Sequence, residues 1–183
     1  ECFPIAKVGG LADVVGALPK YQRSKKMKTS VAMPYYSNPF NKEHEFEHVF
    51  KGEMLLGENH HEFQVLQLID DLGFDLFAIK IQHLLDRENV YGYEEDLERF
   101  TAFQIALLTW INLKKDKPAL IHCHDHHTGL IPFMMSHCNA FQNLKEIPTV
   151  FTIHNAQYQG QFNYDKFSYI PKFDFTHFGL LDW

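Results

Sequence analysis

Three short stretches of this chain hold most of the side chains suited to chemistry. The densest is His122-Cys123-His124-Asp125-His126-His127-Thr128-Gly129, with four histidines and one carboxylate in six residues. Histidine and aspartate are zinc ligands, so a metal reading is open. If a strand runs through the stretch, His122 and His124 point to one side. A binuclear hydrolase wants a His-x-His pair with a separate Asp-His, whereas here Asp125 follows His124 directly. A loop of polar ligand-binding groups and a purely structural cluster are the other readings. The second stretch is Thr152-Ile153-His154-Asn155-Ala156-Gln157-Tyr158-Gln159-Gly160. A histidine at a strand end can hydrogen-bond a sugar hydroxyl, and Asn155 and Gln157 offer both donors and acceptors. Tyr158 can stack on a sugar face. The third is Lys7-Val8-Gly9-Gly10-Leu11-Ala12-Asp13. Two glycines before a helix let main-chain N–H groups approach a ligand, and a helix N-terminus favours anions such as phosphate. Lys7 adds a mobile charge. A plain tight turn explains the glycines equally well.

Other chemistries find no motif. The glycine pair is neither G-x-G-x-x-G nor a P-loop. No Ser-His-Asp order with a nucleophile elbow occurs. Asp70-Asp71 and Glu94-Glu95 read as solvated acids of a turn and a helix start.

Positioning these stretches falls to the elements around them. After Gly9-Gly10, Leu11, Val14, Val15 and Leu18 recur at helical spacing, with Asp13 in the first turn where a carboxylate suits the dipole. Pro19 predicts that this helix kinks or ends nearby. Ser30–Met33 predicts a short strand. Phe46–Leu56, Phe63–Ile69 and Phe74–Ile81 predict a strand-rich meander broken at Gly57-Glu58-Asn59 and at 70–73. Glu94–Lys115 is the clearest helix, with a broad apolar face from Leu97 to Trp110. Ala119–Cys123 and Pro148–Ile153 are continuous apolar runs, the pattern of parallel strands buried on both faces, and Thr128–Phe141 predicts a helix between them. The fold class is therefore α/β: a Rossmann-like parallel sheet flanked by helices, with a meander. In such sheets ligands bind beyond the carboxyl ends of the strands. Both apolar runs end there in histidine-bearing loops.

Bulk properties exclude some functions. The 183 residues favour one domain, and a net charge of -6 argues against a nucleic-acid partner. The basic run Arg23–Lys28 reads as a solvated loop or helix end rather than a binding patch. Seventeen Phe predict a Phe-rich core, with a sugar-stacking surface as the sharper alternative. Three cysteines without a C-x-x-C pair fit a reducing, cytoplasmic setting. No apolar span predicts membrane insertion.

Taken in order, the three stretches resemble the glycogen and starch synthase family. Lys7–Pro19 is similar to its Lys-x-Gly-Gly-Leu signature, His124–Leu130 to its His-Asp-x-(His/Gln)-x-Gly-Leu segment, and Thr152–Gly160 to its Thr-x-His-Asn-x-x-Tyr-Gln-Gly segment. Leu84–Arg87, Tyr91-Gly92 and Glu98–Phe100 also fit. Many members have Trp where this chain has His126, and the usual Gly-His is missing within Tyr21–Thr29.

The resemblance implies the N-terminal half of a GT-B fold over residues 1–183, incomplete at both ends and separated from a C-terminal nucleotide-binding domain. It implies a retaining transfer of glucose from ADP-glucose or UDP-glucose to the non-reducing end of an α-1,4-glucan, with no metal and no cofactor. The partners would be that nucleotide sugar, the glucan and the protein's own C-terminal domain. By resemblance, Lys7 would contact the donor diphosphate, and Gly9 and Gly10 would let the loop close over it. Asp125 and His154 would bind the glucosyl group, with His154 near the reacting carbon. Asp13, Asn155, Gln159 and Gly160 complete the expected site. The 183 residues alone are not expected to transfer glucose. The competing readings are a metal-dependent hydrolase built on His122–His127 and a non-catalytic glucan-binding domain.

Overall fold

A computed structural model of the protein describes residues 1–181; the last two residues of the expected 1–183 domain lie outside the described residues. The chain forms two compact units. One comprises Glu1–Glu53 and Glu62–Arg99, the other Met54–His61 and the described residues from Phe100 onward.

In the first unit, α1 spans Gly10–Ser24 and continues through Pro19, so the proline does not end it. Its buried stripe of Leu11, Ala12, Gly16 and Pro19 explains why: the proline ring lies on the buried side, where packing outweighs the lost hydrogen bond. The helix stops at Ser24, and Lys26 follows in a left-handed conformation with φ 64°. The basic run thus straddles the helix end and the turn after it.

A four-stranded sheet follows, with β1 (Ser30–Pro34), β2 (Phe46–Leu56), β3 (Asn59–Leu68) and β4 (Asp75–Lys80) in the order β1-β4-β3-β2. The short helix α2 (Pro39–Glu43) precedes β2, and the Asn38 side chain caps it by accepting from Asn41 N. β1 runs parallel to β4, pairing Ser30 with Asp75 and Pro34 with Ile79, while β3 is antiparallel to β4. The meander and the first strand therefore share one mixed sheet. Met33, Tyr36, Leu68, Phe74 and Leu76 form its core, with Cys2 and Ile5 from the first residues.

The helix α3 spans Asp96–Leu113, within the predicted 94–115. Its first turn carries Arg99, which is fully buried. Arg99 is ion-paired with Asp96 and donates to the carbonyls of Leu84 (3.1 Å), Val90 (3.2 Å) and Asn89 (3.4 Å). A buried guanidinium is tolerated only when its charge and donors are satisfied this way.

The second unit holds a two-stranded parallel sheet of β5 (Ile121–His124) and β6 (Thr149–Thr152), with Ile121 opposite Thr149 and His124 opposite Thr152. Between them the chain forms a 3-10 turn at His126–Thr128, α4 (Leu130–His137) and a second 3-10 segment at Asn139–Leu144. The single helix expected over Thr128–Phe141 is thus broken. Its break has a non-local cause: Asn139 N–H donates to Lys172 O at 3.0 Å, and Cys138 bridges Phe173. The expectation that both parallel strands are buried on two faces also fails for β6. Val150 is 42% and Phe151 43% exposed. Phe63, Phe74, Phe100, Phe103 and Phe141 are core residues, whereas Phe3, Phe151 and Phe175 are exposed, so the phenylalanines are only partly a core device. The three cysteines are free and buried. Among the described residues no helix is long and apolar enough to cross a membrane.

Candidate functional site

The second unit brings the aspartate and the two histidine-bearing loops together. β5 ends at His124, and Asp125 N–H extends the ladder by donating to Thr152 O at 3.0 Å. The Asp125 backbone then turns sharply, with φ 56° and ψ -177°. This region is essentially reserved for glycine, and another residue there costs about 1–3 kcal/mol unless its surroundings hold it. The surroundings do hold it. The Asp125 carboxylate is buried, and its Oδ1 accepts from His154 N at 2.6 Å and from Asn155 N at 3.4 Å. Thr128 closes the turn by donating its hydroxyl to the carbonyls of His124 (3.0 Å) and Asp125 (3.1 Å). One strained residue thus ties the loop after β5 to the loop after β6.

The histidines order themselves on one face of the pair. His122 Nε2 lies 2.7 Å from Thr152 Oγ1, and its ring stacks on His124 at 4.1 Å between centroids. That shared side is what a two-residue period predicts. His124 Nδ1 lies 2.9 Å from His154 Nε2. Burial, then the neighbouring His122 and His154 rings, push His124 down to about 4; burial, then His154, lower His122. His127 packs edge-on against Phe100 at 4.8 Å and is pushed down to about 3, chiefly by burial. Near neutral pH His122, His124 and His127 are uncharged, so these three rings offer hydrogen bonds rather than positive charge. His126 serves packing: a Cβ on Gly160 would meet its ring at 2.9 Å, and Gly160 has φ +68°. Glycine is required at 160 on both counts. The Asn155 carbonyl accepts from Gln157 N at 2.9 Å, and the Gln159 amide donates to Ala156 O at 3.1 Å. Both side chains therefore shape the loop, leaving the Asn155 amide NH2 and the Gln159 carbonyl for other partners. Tyr158 is exposed.

Leu130 N–H, at the start of α4, donates to the buried Gln104 side chain of α3 at 2.8 Å. The loop 125–129 is thereby pinned at both ends. Among the described residues no three His, Cys, Asp or Glu side chains sit where they would hold a metal ion.

In the first unit, Lys7 Nζ sits 2.7 and 2.8 Å from the two carboxylate oxygens of Asp13, and both side chains are about half exposed. Their pairing was not foreseen. The main-chain N–H groups of Val8 and Gly9 both donate to Glu1 Oε2 at 2.8 Å, while Tyr91 donates its hydroxyl to Glu1 Oε1 at 2.7 Å. Although burial raises the Glu1 carboxyl, hydrogen bonds from Gly9, Tyr91 and Val8 outweigh it and hold the group below its ordinary value. Two of the loop's amides are thus taken internally. Nothing in the sequence reading pointed to Glu1; its only signal was an acid six residues before Lys7. A Cβ on Gly9 or Gly10 would meet nothing within 4 Å. The fold itself does not demand glycine at either position, so the space they leave opens outward.

A parallel α/β unit with a histidine–aspartate loop at the carboxyl ends of its strands is the arrangement of a Rossmann-like, GT-B-type half. The family model described as starch synthase catalytic domain matches residues 1–182. The chain belongs to that family. It is 52% identical over its whole length to a glycogen synthase of Flavobacterium johnsoniae and 37% identical to one of Halalkalibacterium halodurans. It spans 39% and 38% of those relatives, respectively. A solved structure, the catalytic domain of starch synthase IV from Arabidopsis thaliana bound to ADP and acarbose, superposes with a TM-score of 0.83 at 26% identity. That match covers 93% of this chain and 35% of the plant chain. These relatives do not favour the metal-hydrolase alternative.

Proposed function

We propose that the protein containing this chain transfers glucose from a nucleotide sugar, ADP-glucose or UDP-glucose, to the non-reducing end of an α-1,4-glucan with retention, in the cytoplasm. Residues 1–183 act as part of its N-terminal domain and depend on a C-terminal nucleotide-binding domain for turnover. The observation that carries this reading is the Asp125 clamp, which presents His154 from a strand end where parallel α/β sheets bind ligands. An oxocarbenium-like transition state needs oriented polar groups, and the strand-end histidines beside a buried carboxylate supply them. His154 contacts the glucosyl group, and Asp125 serves that group through its hold on His154. Asn155, Gln159 and Gly160 complete the loop around it. The ADP and acarbose held by the plant starch synthase support a nucleotide-and-glucan pairing here.

Lys7 contacts the donor diphosphate, with Gly9 and Gly10 leaving room for it. Its present partner, Asp13, is an exposed ion-pair partner, and such pairs contribute about 0–1 kcal/mol. Lys7 therefore exchanges Asp13 for a diphosphate at little cost, and Asp13 keeps the ammonium aimed until then. In the complete gene product, Lys7→Ala is expected to raise the donor KM about 10-fold or more, while the melting temperature stays within about 2 °C. Steady-state kinetics and thermal melts check both. An unchanged donor KM would remove Lys7 from the site.

A further inference from the structure

His154 is held both at its main chain and at its ring. Asp125 fixes its main chain. Its ring is fixed by His124, whose Nδ1 lies 2.9 Å from His154 Nε2 with the rings 5.2 Å apart and 27° from parallel. A neutral imidazole has one donor and one acceptor nitrogen. Two rings meeting nitrogen to nitrogen must therefore place one proton between them, which couples the tautomer of one to that of the other. His124 is itself restrained, since His122 stacks on it and is tied to Thr152. Thr128 further anchors the His124 carbonyl. The ring that touches His154 is thus set by residues of both strands and by the turn after β5.

We propose that His124 is a positioning residue: its Nδ1 commits Nε2 of His154, fixes that ring's tautomer and orientation, and leaves Nδ1 of His154 as its one ring nitrogen for a ligand. The consequence for transfer rests on His154 acting at the glucosyl group. The tautomer does not, so the two are tested separately.

The first arm uses the complete gene product labelled with 15N-histidine, with two-bond proton–nitrogen correlations at neutral pH and His154 assigned by its loss in His154→Gln. Wild type is expected to show His154 with one ring nitrogen protonated and the other not, as a single tautomer with two well-separated nitrogen shifts. His124→Phe keeps the ring volume without the nitrogen, and His154 is expected to relax to the averaged mixture of a free imidazole. His124→Asn places an amide near the lost Nδ1 and is expected to restore a single tautomer. The second arm measures transfer. His124→Phe is expected to lower kcat about 10- to 100-fold with little change in donor KM, and His124→Asn to recover most of the loss. Melting curves for both variants identify any that fail to fold. A His154 tautomer unchanged in His124→Phe overturns the proposal. So does the reverse ranking, with Phe active and Asn inactive, which would make the ring a packing element. Tautomer changes as expected, in a protein that transfers no glucose even as wild type, would uphold the positioning role and overturn the transfer reading.

Discussion

Replacing Asp125 with glycine is expected to reduce transfer by about 100-fold or more while sparing the fold, and replacing it with alanine to damage both. The reason is the conflict stored at this residue. Its φ of 56° with ψ of -177° suits glycine and no other residue, so the native aspartate carries about 1–3 kcal/mol of backbone strain. The strain is offset by a carboxylate bonded to two main-chain N–H groups, at 2.6 Å and at a weak 3.4 Å, which together contribute about 1.5–3 kcal/mol. Asp125→Gly loses the bonds but relieves the strain, so stability stays within about 1 kcal/mol of wild type. Asp125→Ala loses the bonds and keeps the strain, and is expected to cost about 1–3 kcal/mol. Both release the chain at His154 from its anchor, and misplacement of a reacting group by about 1 Å costs on the order of 100-fold. Chemical denaturation and initial-rate assays on the complete gene product measure the two quantities. Equal stability of the glycine and alanine variants would show that the backbone is not strained, and undiminished transfer in both would show that the clamp is not functional.

Gly16→Ala is the larger stability effect, and its sign is opposite to the usual one. In a helix interior alanine is ordinarily better than glycine by about 1 kcal/mol. Here an added Cβ would lie 2.4 Å from the Phe3 carbonyl oxygen and 3.2 Å from both Phe3 N and Phe3 C. These are backbone atoms, and Phe3 N–H is itself bonded to Ala12 O of α1 at 2.9 Å. The segment cannot yield without breaking that bond. Overpacking of this kind costs about 1–3 kcal/mol and occasionally more. A net loss near 2 kcal/mol lowers the melting temperature by about 4–8 °C for a chain of this size. Because the same segment leads into Lys7 and the Gly9-Gly10 loop, donor affinity should weaken as well. A melting temperature at or above wild type would contradict the close approach of Phe3 to α1.

What was legible in the sequence follows the range of the forces involved. α3, β1 and β2 were readable because helical spacing and short apolar runs are local signals. The exposure of β6 was not, because Val150 and Phe151 have the composition of a buried strand, and burial is decided by what else packs there. The break after α4 was hidden for a related reason: it is made by pairing with residues 172–173, more than thirty positions away. At the site, the residue types and the two strand-end loops were visible. The geometry was not. Nothing in His124-Asp125 announces a left-handed backbone, a carboxylate spent on main-chain N–H groups, or a ring that meets His154. Glu1 was missed because its carboxylate works on backbone amides of a neighbouring turn, and such bonds leave no mark on spacing.

The central claim is that His154, held by Asp125, serves glucosyl transfer without a metal. The direct test is transfer of labelled glucose from ADP-glucose and from UDP-glucose to glycogen by the complete gene product, run with chelator and beside His154→Ala. Transfer that survives the chelator and falls by about 100-fold or more in the variant is the result predicted. Absence of transfer from either donor, activity abolished by chelator, or full activity in His154→Ala would contradict it.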